Sequence, residues 1–168
     1  MTRVLDRLSL IDAIRRHPHE LVCVIILEPD APRGMVVREM SRTTVSQLER
    51  LPKDRIISRF WDVDDPTRKD CPSEFEIKRI LDWAKDKEID IVACHAGVSR
   101  SSAVAILIEC QKIFAGRPVT VKEAIEGLRL NKDQHRPNPL ILELGAKILN
   151  RPEIPDVVKY WNRGGVFV

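Results

Sequence analysis

Cys94 and Arg100 bracket a short loop in the stretch VACHAGVSRSS, Val92 to Ser102. A thiolate is a strong nucleophile, and it is favoured where positive potential surrounds it. This loop has three sources of such potential. Tight turning around Gly97 lets successive backbone N–H groups converge on one centre, a nest for an anion. The helix expected from Ser101 adds the partial positive charge of its N-terminus. The planar guanidinium of Arg100 can hold two oxygens of a phosphate, which a lysine cannot. The chemistry that fits is attack by Cys94 on a phosphate held by Arg100 and by the amides of His95, Ala96, Gly97, Val98 and Ser99. Ser101 can hydrogen-bond the sulfur and ease its departure as a leaving group. A lone cysteine is commonly a small core residue. Here Cys, Gly, Arg and Ser coincide between an apolar strand and an apolar helix, and the conjunction points to a site.

The elements that must position this loop are legible from periodicity. Ile89–Ala93 reads as a strand and Ser101–Phe114 as an apolar helix. Leu21–Leu27 is a continuous apolar run, the habit of a strand buried on both faces of a parallel sheet. Asp54–Trp61 is a further strand. Met35–Met40 is expected as a strand and Thr44–Leu51 as a short helix. Ser9 is expected to cap a helix carrying Leu10, Ile11 and Ile14 on one face. Ser73–Lys87 has an inner set of Phe75, Ile77, Ile80, Leu81 and Ala84. Thr120–Leu130 opens on a capping box, Thr120 with Glu123. Pro139–Asn150 is another helix, and residues 151–168 read as a packed or frayed tail. Trp61 to Pro72, with four aspartates and two prolines, must be a loop. The order implies one α/β domain over 1–168, a short, mostly parallel central sheet with helices on both faces.

Composition supports this reading. At 43% hydrophobic and 32% charged residues the chain can build a core. A net charge of +3 with acids and bases interspersed gives no basic arm for nucleic acid, only a weak pull toward anions. The longest apolar stretch is too short to span a bilayer, and the first residues lack a signal peptide's apolar run. Cys23, Cys71, Cys94 and Cys110 show neither CxxC spacing nor tight pairing, so no disulfide framework or metal site is expected and a reducing, cytoplasmic location is. No cofactor is implied.

The octet Cys94-His95-Ala96-Gly97-Val98-Ser99-Arg100-Ser101 resembles the signature loop of the protein tyrosine phosphatase and dual-specificity phosphatase superfamily, Cys-x5-Arg followed by Ser or Thr. From about residue 54 to 150 the chain looks like the compact dual-specificity-like members. It looks closest to small bacterial predicted tyrosine phosphatases, which pair an AGxSRS-type loop with a segment such as Pro137-Asn138-Pro139-Leu140. The resemblance implies a phosphotyrosine-phosphatase-like fold. It also implies hydrolysis of phosphate monoesters, on a phosphorylated protein or a small phosphate ester, through a cysteinyl-phosphate. One departure stands out: Ala93 occupies the position before the cysteine where the family usually has histidine.

The leaving oxygen needs a proton, and a carboxylic acid can supply it for about 10²–10⁴-fold in rate. The resemblance implies an aspartate on a movable loop roughly thirty residues before the cysteine. Asp62, Asp64 and Asp65 all qualify. Asp62 is favoured because it directly follows the strand and Trp61. Asn138 is expected to shape a loop rather than touch substrate, and Arg136 to form a surface ion pair. Two other readings remain: a phosphate-binding pseudophosphatase, with Ala93 in its favour, and a rhodanese-like sulfurtransferase.

Overall fold

The structure is a computed structural model that describes residues 2–17, 20–29 and 54–164. The strand expected at Met35–Met40 and the helix at Thr44–Leu51 lie outside the described residues. The elements are β1 (Arg3–Leu5), α1 (Arg7–Arg16), β2 (Val22–Leu27), β3 (Asp54–Arg59), α2 (Glu74–Ala84), β4 (Ile91–Ala93), α3 (Arg100–Cys110), β5 (Ile113–Phe114), β6 (Arg117–Pro118), α4 (Val121–Gly127), α5 (Pro139–Leu149) and α6 (Glu153–Asn162). β1, β4, β2 and β3 form, in that spatial order, a four-stranded sheet in which every pairing is parallel.

The apolar run of β2 explains the layering. Side chains alternate across a strand, and here both faces are covered. Cys23, Ile25 and Leu27 join Ile91 and Ala93 against Leu10, Ile11, Ala13 and Ile14 of α1. Val24, Ile26 and Val92 face the larger core built by α2 to α6. At the centre of that core is α3, apolar all round, with every residue but Glu109 buried. Each fully buried Ile or Leu there is worth about 1.5–3 kcal/mol. α5 packs closely on α3 at Gly145, where an added Cβ would stand 2.2 Å from Leu107 Cδ1. This close packing brings the start of α5 beside the start of α3.

Several expectations change. Asp6, not Ser9, caps α1: its Oδ1 accepts from the amides of Leu8 (2.8 Å) and Ser9 (2.9 Å). Phe75 is 73% exposed. It precedes Ile77 by two residues, about 200° round the helix, and so points away from the inner stripe. α3 stops at Cys110, and Ile113–Phe114 instead pairs with Arg117–Pro118 in a hairpin. Ala115 (φ 51°) and Gly116 (φ 77°) make its turn, both in the left-handed region that two-residue hairpins favour. The tail is a helix: α6 buries Ile154, Val158 and Trp161. The strand β1 was not expected, being only three residues long. Thr120 and Glu123 do form the capping box. Among the described residues no helix is long and apolar enough to cross a membrane.

Candidate active site

β4 ends at Ala93, and the chain turns through residues 94–99 into α3. This is the carboxyl edge of a parallel sheet, where open α/β folds place their ligand crevices. Gly97 has φ +69°, and a Cβ there would stand 2.6 Å from Asp6 N and 2.8 Å from Leu5 C. Only glycine lets the loop lie this close to the β1–α1 junction. The same junction pins the loop: Arg7 N donates to His95 O at 3.2 Å, and Cys94 N to Leu5 O at 3.4 Å. Ser102 Oγ donates to Val98 O (2.5 Å) and Ser99 O (2.9 Å), which closes the turn from behind. Among the described residues, no backbone N–H of residues 96–99 donates to a protein acceptor. Those amides are available to an anion.

Cys94 and Ser101 are both buried, with Sγ and Oγ 3.1 Å apart. Arg100 is buried and oriented from two sides. Its Nη1 donates to Phe60 O at 2.8 Å and its Nη2 to Glu28 Oε1 at 2.6 Å. Its Nε is buried without a hydrogen-bond partner, 3.9 Å from Asp62 Oδ2. A buried donor of that kind calls for a partner. Burial pushes the Glu28 carboxyl up. The Arg100 hydrogen bond and charge, the residue's own amide and His95 outweigh it, and the carboxyl sits below its ordinary value. His95 itself is more than half exposed, its Nδ1 3.9 Å from Glu28 Oε1.

Of the three candidate acids, Asp62 alone meets the loop among the described residues. Its Oδ1 accepts from Ser99 Oγ (2.7 Å) and from Asn138 Nδ2 (2.9 Å), which leaves Oδ2 facing Arg100. Asp65 is turned to its own loop, accepting from Thr67 N (2.9 Å) and Thr67 Oγ1 (2.7 Å), bonds that hold its carboxyl below the usual value. Asp64 is exposed. Trp61 is partly exposed, and its amide donates to Asp70 O at 2.9 Å.

Asn138 is buried and does more than shape a loop. Its Oδ1 caps α5 by accepting from Ile141 N (3.1 Å), and its Nδ2 also donates to Val63 O (3.1 Å). Its amide N–H donates to Ser99 O at 3.3 Å, and that of Arg136 to Val98 O at 3.0 Å. Sequence reasoning missed Glu28, the residue directly after the Leu21–Leu27 run. The signal was available: an acid directly after a doubly buried parallel strand lies at the same sheet edge as the cysteine loop. Burial drives the thiols of Cys23 and Cys110 up to about 12. Cys71 stays within the acid loop, with Sγ 3.4 Å from Pro66 O. Among the described residues no cluster of His, Cys, Asp or Glu could hold a metal ion.

No family model and no curated protein matches the chain. Among solved structures, the fold matches the crystal structure of Tk-PTP in the active form, with a TM-score of 0.50 at 16% identity over 89% of each chain. The chain therefore has an α/β fold of the protein tyrosine phosphatase kind.

Proposed function

We propose that this protein is a cysteine-dependent phosphatase that hydrolyses phosphate monoesters, phosphotyrosine first among them, with dual specificity open. The observation that carries the reading is Arg100. Its fork is fixed by Glu28 and Phe60, and its unpartnered Nε lies 3.9 Å from Asp62 Oδ2, the carboxylate that also meets the loop through Ser99.

The phosphate rests on the free loop amides and on Arg100, donors already in place for the charge that develops on its equatorial oxygens. The Cys94 thiolate forms an S–P bond while the ester P–O bond breaks. The departing oxygen keeps the bonding pair and takes a proton from Asp62 Oδ2. Water then attacks phosphorus, Asp62 accepts its proton, and the S–P bond breaks with the pair returning to sulfur. The Ser101 hydroxyl, 3.1 Å away, donates to that sulfur as it leaves. Phosphate departs and the thiolate is restored. The pseudophosphatase reading keeps one observation in its favour, Ala93 before the cysteine.

The test is hydrolysis of 4-nitrophenyl phosphate in EDTA. Wild type should turn over, Arg100→Ala should fail mainly in phosphate binding, and Cys94→Ser should be inactive. Full activity in Cys94→Ser contradicts the proposal.

A further inference from the structure

A cavity of about 400 Å³ opens between α5 and α6, and Arg136, Pro137 and Pro139 line one side of it. The same segment is tied to the Cys94 loop through Arg136 N to Val98 O and Asn138 N to Ser99 O. The catalytic loop and the cavity thus share a wall. The floor is apolar, with Leu142 and Val158 buried. The rim is charged: Arg136, Lys159 and Arg163 against Glu143 and Asp156, three cations to two carboxylates, a net of one positive charge. Among the described residues none of Arg136, Lys159 and Arg163 is in an ion pair. Asn162 also lines the cavity, and its buried Oδ1 has no hydrogen-bond partner.

We infer that this cavity is a specificity subsite for an acidic residue of the peptide carrying the scissile phosphate. The inference rests on the phosphatase reading. The acidic side chain meets Lys159 and Arg163, charge-assisted partners for an oxyanion. A neutral peptide leaves these cations unpaired, and an acidic side chain on the segment that carries the phosphate pairs them.

The experiment compares two phosphotyrosine peptides of equal length, one flanked by glutamates and one by glutamines, binding to the Cys94→Ser protein at low and high salt. The glutamate peptide should bind about tenfold more tightly at low salt, the worth of one charge-assisted hydrogen bond. The ratio should fall to near one in Lys159→Gln/Arg163→Gln. It should stay high in Lys85→Gln/Lys122→Gln, which removes equal charge away from the cavity. A ratio near one in the Cys94→Ser protein overturns the inference. So does an equal loss in both double variants, because that marks a general field and not a subsite. The phosphatase reading fails separately, if wild type leaves 4-nitrophenyl phosphate intact.

Discussion

The Asn138 amide donates to the Asp62 carboxylate at 2.9 Å across 76 positions of sequence. It joins the acid loop to the first turn of α5, and Ser99, donating to the same oxygen, joins both to the Cys94 loop. Three segments far apart in the chain thereby fix one carboxylate.

The first prediction separates the two roles of Asn138. Asn138→Asp keeps an oxygen to cap Ile141 N but removes the donor to Asp62. Asn138→Ala removes both, and should cost about 0.5–2 kcal/mol in stability as well. Both variants should lose rate on alkyl phosphates, whose leaving oxygens need a proton, by up to the 10²–10⁴-fold that a general acid contributes. Both should keep most of their rate on 4-nitrophenyl phosphate. Measuring kcat across a series of leaving groups checks this. Equal losses on every leaving group would show that Asn138 acts only on folding.

Glu28 should reveal itself through pH. Its carboxyl lies below the ordinary value of 4.5 in the folded protein, with Arg100 outweighing the cost of burial. A group depressed in this way adds stability above about pH 4.5, and the gain is lost as pH falls through the folded value. Glu28→Gln should therefore be less stable than wild type at pH 7 by about 1.5–3 kcal/mol, the range for hydrogen bonds to charged groups. The gap should narrow below pH 4.5. Urea midpoints for the two proteins from pH 3 to 7 provide the test. A gap that does not change with pH would mean that the Glu28 charge contributes nothing.

Gly97→Ala should damage both stability and phosphate affinity. The left-handed backbone alone costs a Cβ-bearing residue about 1–2 kcal/mol, and here the Cβ also meets backbone at 2.6 Å. Gly127→Ala is the contrast. It sits in α4 with open space around it, and should be stabilising by about 0.5–1 kcal/mol. Thermal melts of the pair, with and without phosphate, distinguish the two sites. Equal melting points would place the Gly97 loop elsewhere.

Thiol labelling is predicted to be selective. Cys23 and Cys110, with thiols driven up to about 12 by burial, should resist iodoacetamide until the protein unfolds. Cys71, which is partly exposed, should label first; Cys94, buried but the nucleophile of the proposed mechanism, should follow, and phosphate should protect it alone. Peptide mapping after a short exposure reads the order.

Much of this arrangement was legible in the sequence because its signals are local. Cys94, Gly97, Arg100 and Ser101 lie within one turn, and β2 announces its two-sided burial in six consecutive residues. The capping box at Thr120 needs only four. What the sequence hid depends on distant pairing. Glu28 matters because β2 ends beside β4, and nothing near Glu28 encodes Arg100. Asp62 was favoured over its neighbours by position, while its two hydrogen bonds come from Ser99 and Asn138. An apolar residue next to the stripe reads as part of it, which puts Phe75 inward. The 3.6-residue period puts it on the far side. α6 was missed because Pro152, Pro155 and the glycines beyond it read as breakers, yet Pro155 falls in the first turn, where a missing N–H costs nothing.

The central claim is that Cys94 carries the phosphate between two chemical steps. Rapid quenching of wild type and Asp62→Asn with an aryl phosphate, followed by mass analysis of the digested protein, tests it directly. The account predicts phosphate on the peptide containing Cys94, and none in Cys94→Ser. Phosphate release at the wild-type rate with no phosphorylated Cys94 peptide, or with phosphate carried on another residue, would contradict it.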